Sequence, residues 1–182
     1  MTLTDWTIES GAGATQERAT SGSYSIKIDG SNSPKVTLDQ SEADAPTEVD
    51  IQTQAYLDGS SPAYVEVGLV FNYQDADNFC VLVFEEANSI WEVQEVVNGA
   101  TNTVSADNPS VTVTGGSWTS LTLTTWTDSG NRFCRAKQDG EQLAPDLSFD
   151  NSLIDSSLRG GGGVGISCSG HQWWADETEV YY

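Results

Sequence analysis

The sequence predicts an all-β protein, a two-sheet antiparallel β-sandwich of the jelly-roll kind, built as one domain over residues 1–182. Three observations predict it. Thr, Ser and Gly are abundant, and no stretch carries the apolar period of an amphipathic helix. Strand-like segments recur about every 10 to 15 residues, separated by turn-forming breaks. With 37% apolar residues, six Trp, six Tyr and five Phe, the chain can bury a core without disulfide staples.

The elements follow in order. "SYSIKIDG" (23–30) alternates Tyr24, Ile26 and Ile28 with Ser25, Lys27 and Asp29, and "PKVTLDQ" (34–40) returns across "SNSP". The loop "SEADAPT" leads into "EVDIQTQAYLDG" (48–59). There Glu48, Asp50, Gln52, Gln54 and Tyr56 share one face, while Val49, Ile51, Ala55 and Leu57 share the other. "YVEVGLVFNY" (64–73) puts Val65, Val67, Leu69, Phe71 and Tyr73 on a core face. "FCVLVFEE" (79–86), apolar on both faces, reads as central in its sheet. "SIWEVQEVV" (89–97), the turn "NGA", "SVTVTGG" (110–116), "WTSLTLTTWT" (118–127) and "RFCRAKQDG" (132–140) continue the pattern. Residues 141–160 form the longest weakly patterned region, a loop with room for a short helix. "GGGGVGISCSG" (160–170) and "QWWADETEVYY" (172–182) close the chain.

Twenty-seven acids against seven bases give a formal net charge of −20, spread along the whole chain. Such self-repulsion is relieved by salt, whose Debye length falls to about 3 Å at 1 M. The charge points to a halophilic setting, with an ordinary acidic secreted or calcium-binding domain as the alternative. No basic stripe exists to meet phosphates, which argues against a nucleic-acid partner. No apolar run approaches the length of a membrane helix, and "MTLTDWTIESGAGA" has neither the basic nor the apolar region of a signal peptide. Cys80, Cys134 and Cys168 are odd in number and widely spaced, which argues against a disulfide framework or a zinc site. Buried free thiols are expected for at least two of them, with a Cys80–Cys134 bridge left open.

The order of several motifs resembles a known group. "GLVFNYQDADNFCVLVF" resembles the paired strands of concanavalin A-like (laminin-G-like) jelly rolls, in which an apolar strand, a D-x-x-N-aromatic turn and a second apolar strand follow one another. "SWTSLTLTTWTDSGNRFCRAKQDGEQL" is similar to that group's Trp-led strand, hairpin and strand ending in Asp-Gly. "GGGGVGISCSGHQWWADETEV" is similar to its terminal pair, although Ala175 and Thr178 replace an aromatic and an apolar residue. The matches run from about residue 63 to 180. The resemblance implies two stacked antiparallel sheets and a role in glycan or protein binding, with hydrolysis in some branches; a fold alone does not choose among these.

The residues narrow the choice. Laminarinase-type enzymes of this group carry Glu-x-Asp-x-(x)-Glu on one strand, and retaining hydrolysis needs a nucleophile and an acid/base about 5–5.5 Å apart. Glu48 and Asp50 fill the first two places, but Gln52 or Thr53 stands at the third, and neither exchanges a proton as a carboxyl group does. His171 is the sole histidine and no nucleophile elbow is placed for a Ser-His-Asp set, so no enzyme is expected. The cluster "GHQWWADE" offers the chemistry of a sugar site instead. Trp173 and Trp174 must point to opposite faces of a strand, so one can be core and the other a flat platform for a sugar's C–H face. His171 and Gln172 supply polar contacts, and Trp126, beside "TDSGN", is a second platform. The resemblance further implies a structural Ca²⁺ held by Asp176 with Asp5 as partner, although two acids fall short of six to eight oxygens without carbonyls and water.

The expectation is a non-catalytic, surface-exposed module that binds host or surface glycans, working as a homo-oligomer or beside other surface proteins. Binding domains of this group act outside the cell, whereas this chain opens at Met without an export signal. A virion protein from a halophilic system, released at lysis, reconciles the two. The alternatives are a purely structural virion component (capsid decoration, turret or tail) whose Trp rings serve assembly, and a glycoside hydrolase.

Overall fold

The computed structural model describes residues 6–8, 12–15, 25–28, 35–38, 48–57, 66–85, 90–107, 116–142, 146–160, 162–169 and 173–181. They form fifteen strands. The first five are β1 (Trp6–Ile8), β2 (Ala12–Thr15), β3 (Ser25–Ile28), β4 (Lys35–Leu38) and β5 (Val49–Leu57). The next five are β6 (Glu66–Asp75), β7 (Asn78–Glu85), β8 (Ile90–Val97), β9 (Ala100–Asp107) and β10 (Trp118–Asp128). The last are β11 (Asn131–Gln138), β12 (Glu141–Gln142), β13 (Leu147–Asp150), β14 (Gly163–Ser169) and β15 (Trp173–Tyr181). One sheet has the order β1-β4-β14-β6-β7-β8-β9, and the other β12-β11-β10-β5-β15-β3-β2, with β13 also paired to β11. Every pairing is antiparallel. Chain-distant strands become neighbours: β14 enters between β4 and β6, and β15 between β3 and β5, so the architecture is the jelly-roll sandwich that the alternating segments predict.

Local chemistry sets the hairpins. Asn98-Gly99, Ser129-Gly130 and Asp139-Gly140 each hold two successive positive φ angles, between 50° and 86°. That is the type I′ turn whose twist matches the strands it joins. In the β6–β7 turn the Asp75 carboxylate accepts from the Asp77 N–H and the Asn78 amide, and Asn78 Oδ1 accepts from the Asn98 N–H at 3.0 Å. Two neighbouring hairpins are thereby locked together.

The inner faces share one core. Ile51 and Ala55 of β5, Leu121 and Leu123 of β10, and Trp173 and Ala175 of β15 meet Leu69 and Phe71 of β6, Leu82 of β7, Val93 of β8 and Ile166 of β14. Along β5, Val49, Ile51, Thr53 and Ala55 are buried. A charged group also lies inside: Arg132 is fully buried, its guanidinium 5.8 Å from the Phe71 ring centre. Desolvation lowers its pKa, opposed by the Cys134 and Cys80 sulfurs and the Glu48 carboxylate. Cys80 and Cys134 are buried free thiols, and burial pushes each up to about 12. The side chain of Cys168 lies outside the described residues.

Three expectations change. β6 does not keep one core face, because its pairing with β7 slips between Phe71 and Asp75, where Asn72 takes a φ of 52°. The bulge turns Tyr73 away from Phe71 and into a second cluster on the opposite side of the sheet, with Val70, Phe79, Val81, Val83 and Val96. A strand stands at Ala100–Asp107, where none was read; of the strand expected over 110–116, only Gly116 is described, and it lies in a turn. Finally, the region 141–160 is not a loop. It supplies β12 and β13 and then two single 3₁₀ turns, Asn151–Leu153 and Ser156–Leu158, capped by the carboxylates of Asp150 and Asp155. These turns bury Ile154 and Leu158 in the core and are tied to β8 by the Asp155 N–H donating to Glu95 Oε2 at 2.8 Å.

Two outcomes follow. A methyl group on Gly162 would lie 2.5 Å from the Tyr73 carbonyl oxygen and 2.6 Å from the Asn72 carbonyl carbon, backbone atoms that cannot swing aside. Gly162→Ala should therefore cost about 1–3 kcal/mol in urea unfolding. Gly160→Ala, where a Cβ meets nothing within 4 Å, should stay within about 0.5 kcal/mol of wild type. Second, at pH 8 iodoacetamide should leave Cys80 and Cys134 unmodified in the folded protein and label both in denaturant, as peptide mass spectrometry would register. Labelling at the same rate in both states would contradict their burial.

Candidate functional site

The inward commitment of β5 directs its other residues outward. Because β5 is paired on both sides, with β10 and β15, the register stacks outward side chains in rows of three. Trp118, Tyr56 and Trp174 form the first row; Ser120, Gln54 and Asp176 the second; Thr122, Gln52 and Glu179 the third; Thr124, Asp50 and Tyr181 the fourth. Trp126 of β10 and Glu48 lie just beyond. The face thus has an aromatic group at each end and amides, hydroxyls and carboxylates between. Eight residues of β10 separate Trp118 from Trp126, a span of about 27 Å.

A bulge on β15 is what brings Tyr181 to this face. Asp176 pairs with Gln54 and Glu179 with Gln52, so β15 spends one extra residue, and Glu177 there takes a φ of 47°. Simple alternation from Trp174 would have sent Thr178 outward and Tyr181 into the core. Instead Thr178 is buried, its hydroxyl 2.8 Å from that of Thr53, and Thr53 Oγ1 also lies 3.3 Å from the Asp176 carbonyl oxygen. The fully buried Thr53 hydroxyl therefore serves the polar atoms that the bulge leaves inside.

At the first end, Tyr56 meets Trp118 edge-on at 5.5 Å and Trp174 at 5.9 Å, with the Lys27 ammonium 5.5 Å from the Trp174 ring centre. At the other end, Trp126 stacks on its cross-strand partner Phe133, with ring centres 5.2 Å apart and planes 8° from parallel. The Arg135 guanidinium lies 5.1 Å from the Trp126 ring centre. Asp146 holds that guanidinium in a two-pronged pair at 2.8 and 2.7 Å and also accepts from Gln142 at 2.9 Å. The Arg135 hydrogen bond draws the Asp146 carboxyl below its ordinary value. Both supports of Trp126 come from β11, on one side of β10. An open cavity of about 460 Å³ is lined by Glu48, Val49, Asp50, Thr124, Thr125, Trp126, Arg135 and Tyr181. Tyr181 is 54% exposed and donates its hydroxyl to Glu179. Asp50 Oδ1 is buried and has no hydrogen-bond partner among the described residues.

The residues expected to form the site are placed unequally. Trp126 lines the cavity. Trp173 is in the core, fully enclosed, and offers no face to a ligand, which corrects its assignment as a platform. Trp174 does lie on the outer face, but at 3% exposure its ring is largely covered, so Trp118 and Tyr56 carry the accessible aromatic surface of that end. His171, Gln172 and Asp5 lie outside the described residues. Asp176 projects from the second row, its Oδ1 accepting from the Glu177 N–H at 2.9 Å. Among the described residues no three His, Cys, Asp or Glu side chains converge as a cation site. Glu48 and Asp50, read from the sequence only as two-thirds of a hydrolase triad, are walls of the cavity. Tyr181 and Arg135 were not singled out. Only a bulge brings Tyr181 outward, and Arg135 gains its role from a partner eleven residues away.

The fold and this face define a two-sheet β-sandwich with a flat, aromatic-ended outer surface. The sequence matches no protein-family model and no curated protein. Among solved structures, the chain is similar in fold to the carbohydrate-binding module CBM66 from Bacillus subtilis. That likeness has a TM-score of 0.69 at 11% identity and covers 100% of this chain and 98% of that one. The potassium-bound form of the Emp46p carbohydrate recognition domain superposes with a TM-score of 0.58 at 9% identity, over 98% of this chain and 89% of that one. A xylan β-1,4-xylosidase from Bacillus halodurans matches with a TM-score of 0.55 at 15% identity, over 87% of this chain but only 33% of the enzyme. The likeness is one of fold.

The Arg135–Asp146 pair generates a pH outcome. A carboxyl whose folded pKa is depressed contributes above its unfolded value, near 3.8, and loses that contribution as pH falls through the folded value. The Trp126 indole N–H resonance should therefore hold constant from neutral pH to about pH 4 and shift below it. In Asp146→Asn the resonance should occupy a shifted position already at neutral pH and show no acid transition of this origin. A wild-type transition centred well above pH 4 would assign the change to another group.

Proposed function

We propose that the protein is a non-catalytic glycan-binding module whose ligand lies on the outer face of the β10–β5–β15 sheet. The observation that carries the reading is the Trp126 ring, held by Phe133 and Arg135 and lining a 460 Å³ cavity. A fixed indole face removes apolar C–H surface from water at little entropic cost, and flanking carboxylates and amides accept and donate to hydroxyls. The row from Trp126 through Thr122, Gln52 and Gln54 to Trp118 and Tyr56 suits a chain of several sugar units. Similarity in fold to a carbohydrate-binding module and a carbohydrate recognition domain supports the same reading. The likeness to concanavalin A-like jelly rolls belongs to this proposal, as does a setting on a virion or cell surface in a halophilic system. The net charge of −20 motivates the salt, and the presence of glycans outside cells motivates the place.

The test is a panel of neutral gluco-, manno-, galacto- and fructo-oligosaccharides of graded length, titrated calorimetrically in about 2 M salt. Wild type should bind at least one series. Trp126→Ala should weaken binding about tenfold or more with the near-ultraviolet dichroism of the fold retained. Trp118→Ala should weaken only the longer members. A structural Ca²⁺ shared by Asp5 and Asp176 is tested in the same titration, since chelation would then lower the unfolding temperature. Binding untouched by Trp126→Ala would remove the site. A folded protein that binds nothing in the panel would favour the alternative of a structural surface component.

A further inference from the structure

The outer face carries a pronounced charge asymmetry, and the cavity beside Trp126 concentrates it. Glu48 and Asp50 both line the cavity, Glu179 projects from the adjoining row and Asp176 from the row beyond it. Arg135 is the sole cation among the described residues that line the cavity, and its charge is already met by Asp146 through two hydrogen bonds at 2.8 and 2.7 Å. An ionised carboxylate only accepts. Asp50 lines the cavity, and no donor among the described residues meets its Oδ1, so the groups that can pair with this carboxylate from the cavity are ones that bring a donor.

Resting on the glycan-binding reading, we infer that this cavity discriminates sugars by charge, with Asp50 as the specificity-determining residue. It takes an uncharged sugar unit whose hydroxyl donates to the Asp50 carboxylate and rejects units bearing a carboxylate. A hydroxyl beside Trp126 pairs with that carboxylate. A carboxylate in the same place offers no donor and adds a third negative charge to those of Glu48 and Asp50, in a setting where the one nearby cation is engaged. Rejection of this kind acts through an acceptor left without a donor and through like charges brought close together, both of which discriminate.

The overall charge of −20 repels any anion, so the experiment separates the cavity from the surface. Each neutral oligosaccharide of the panel is compared with its own derivative oxidised at the primary alcohol to a carboxylate. The pairs are titrated at about 0.1 M and about 2 M salt, the latter reducing the Debye length below about 3 Å. The neutral form should bind about tenfold or more tighter than its oxidised partner, and the gap should persist at high salt because contact repulsion and the missing donor are not screened away. Asp50→Asn, which keeps the shape and removes the charge, should narrow the gap about threefold or more while near-ultraviolet dichroism stays unchanged. Oxidised and neutral forms binding alike at high salt, or a gap unmoved by Asp50→Asn, would overturn the inference and leave the glycan site standing. Failure of every neutral sugar to bind would overturn both.

Discussion

Burial of Val49, Ile51, Thr53 and Ala55 against the opposite sheet is the constraint on which the remaining structure turns. A strand has a period of two, so an edge committed to the core directs Asp50, Gln52, Gln54 and Tyr56 to the other side without further specification. β5 is also paired on both flanks, so its register orders the outward residues of β10 and β15 as well as its own. A one-residue slip would move every side chain of the strand to the wrong face. The core thus does more than stabilise: it fixes the spacing of a surface that has little cohesion of its own.

The bulge in β15 shows how that constraint is relaxed at one point. The extra residue costs a positive φ at Glu177 and would leave backbone polar groups inside the sandwich. Thr53 and Thr178 resolve this with a hydroxyl pair in an otherwise apolar layer. What the arrangement gains is a change of phase in the last strand, so that Glu179 and Tyr181 rejoin the outer face beside Asp50 while Val180 packs inward. A buried polar pair in the core and an exposed tyrosine at the cavity are therefore two consequences of one insertion.

Much of this was legible in the residues. The alternation of β5, the apolar β7 and the Asn-Gly, Ser-Gly and Asp-Gly hairpins each carry their structure locally, through side-chain period and positive φ. β9 was not legible from hydrophobicity, because "ATNTVSAD" offers one large apolar side chain and forms an outer strand of its sheet; the type I′ turn before it was the signal that a return strand must follow. The opposite faces of Trp173 and Trp174 follow from adjacency on a strand, but the covering of Trp174 depends on Tyr56 and Lys27, which come from elsewhere in the chain. Bulges are harder still. Both β6 and β15 change phase at a non-glycine residue of positive φ, Asn72 and Glu177, and no single-chain pattern marks where a strand will take in an extra residue. The site was half visible for that reason: Trp126, Glu48 and Asp50 are where alternation puts them, while Tyr181 is not.

The distribution of the scarce cations joins fold to site. Of the seven basic residues, Lys27, Arg132 and Arg135 each lie over an aromatic ring, and Arg159 donates to the carbonyls of Ile154 and Ser152 at 2.7 Å. These positive charges are engaged in holding rings and turns of the protein itself. The described acids lie mostly at the surface, and several stand on the face that also carries the accessible rings of Trp118, Tyr56 and Trp126. A ligand approaching that face meets flat apolar rings edged by oxygen acceptors, with its lining cation already held by a carboxylate. Such a surface repels anions and exerts little long-range pull on a neutral ligand, but it is well suited to short-range recognition of hydroxyl donors, and short-range recognition survives concentrated salt. The acid excess that sets the chain's solvent requirements and the hydrogen-bonding character of its cavity are in this sense one property of the sequence, seen at two scales.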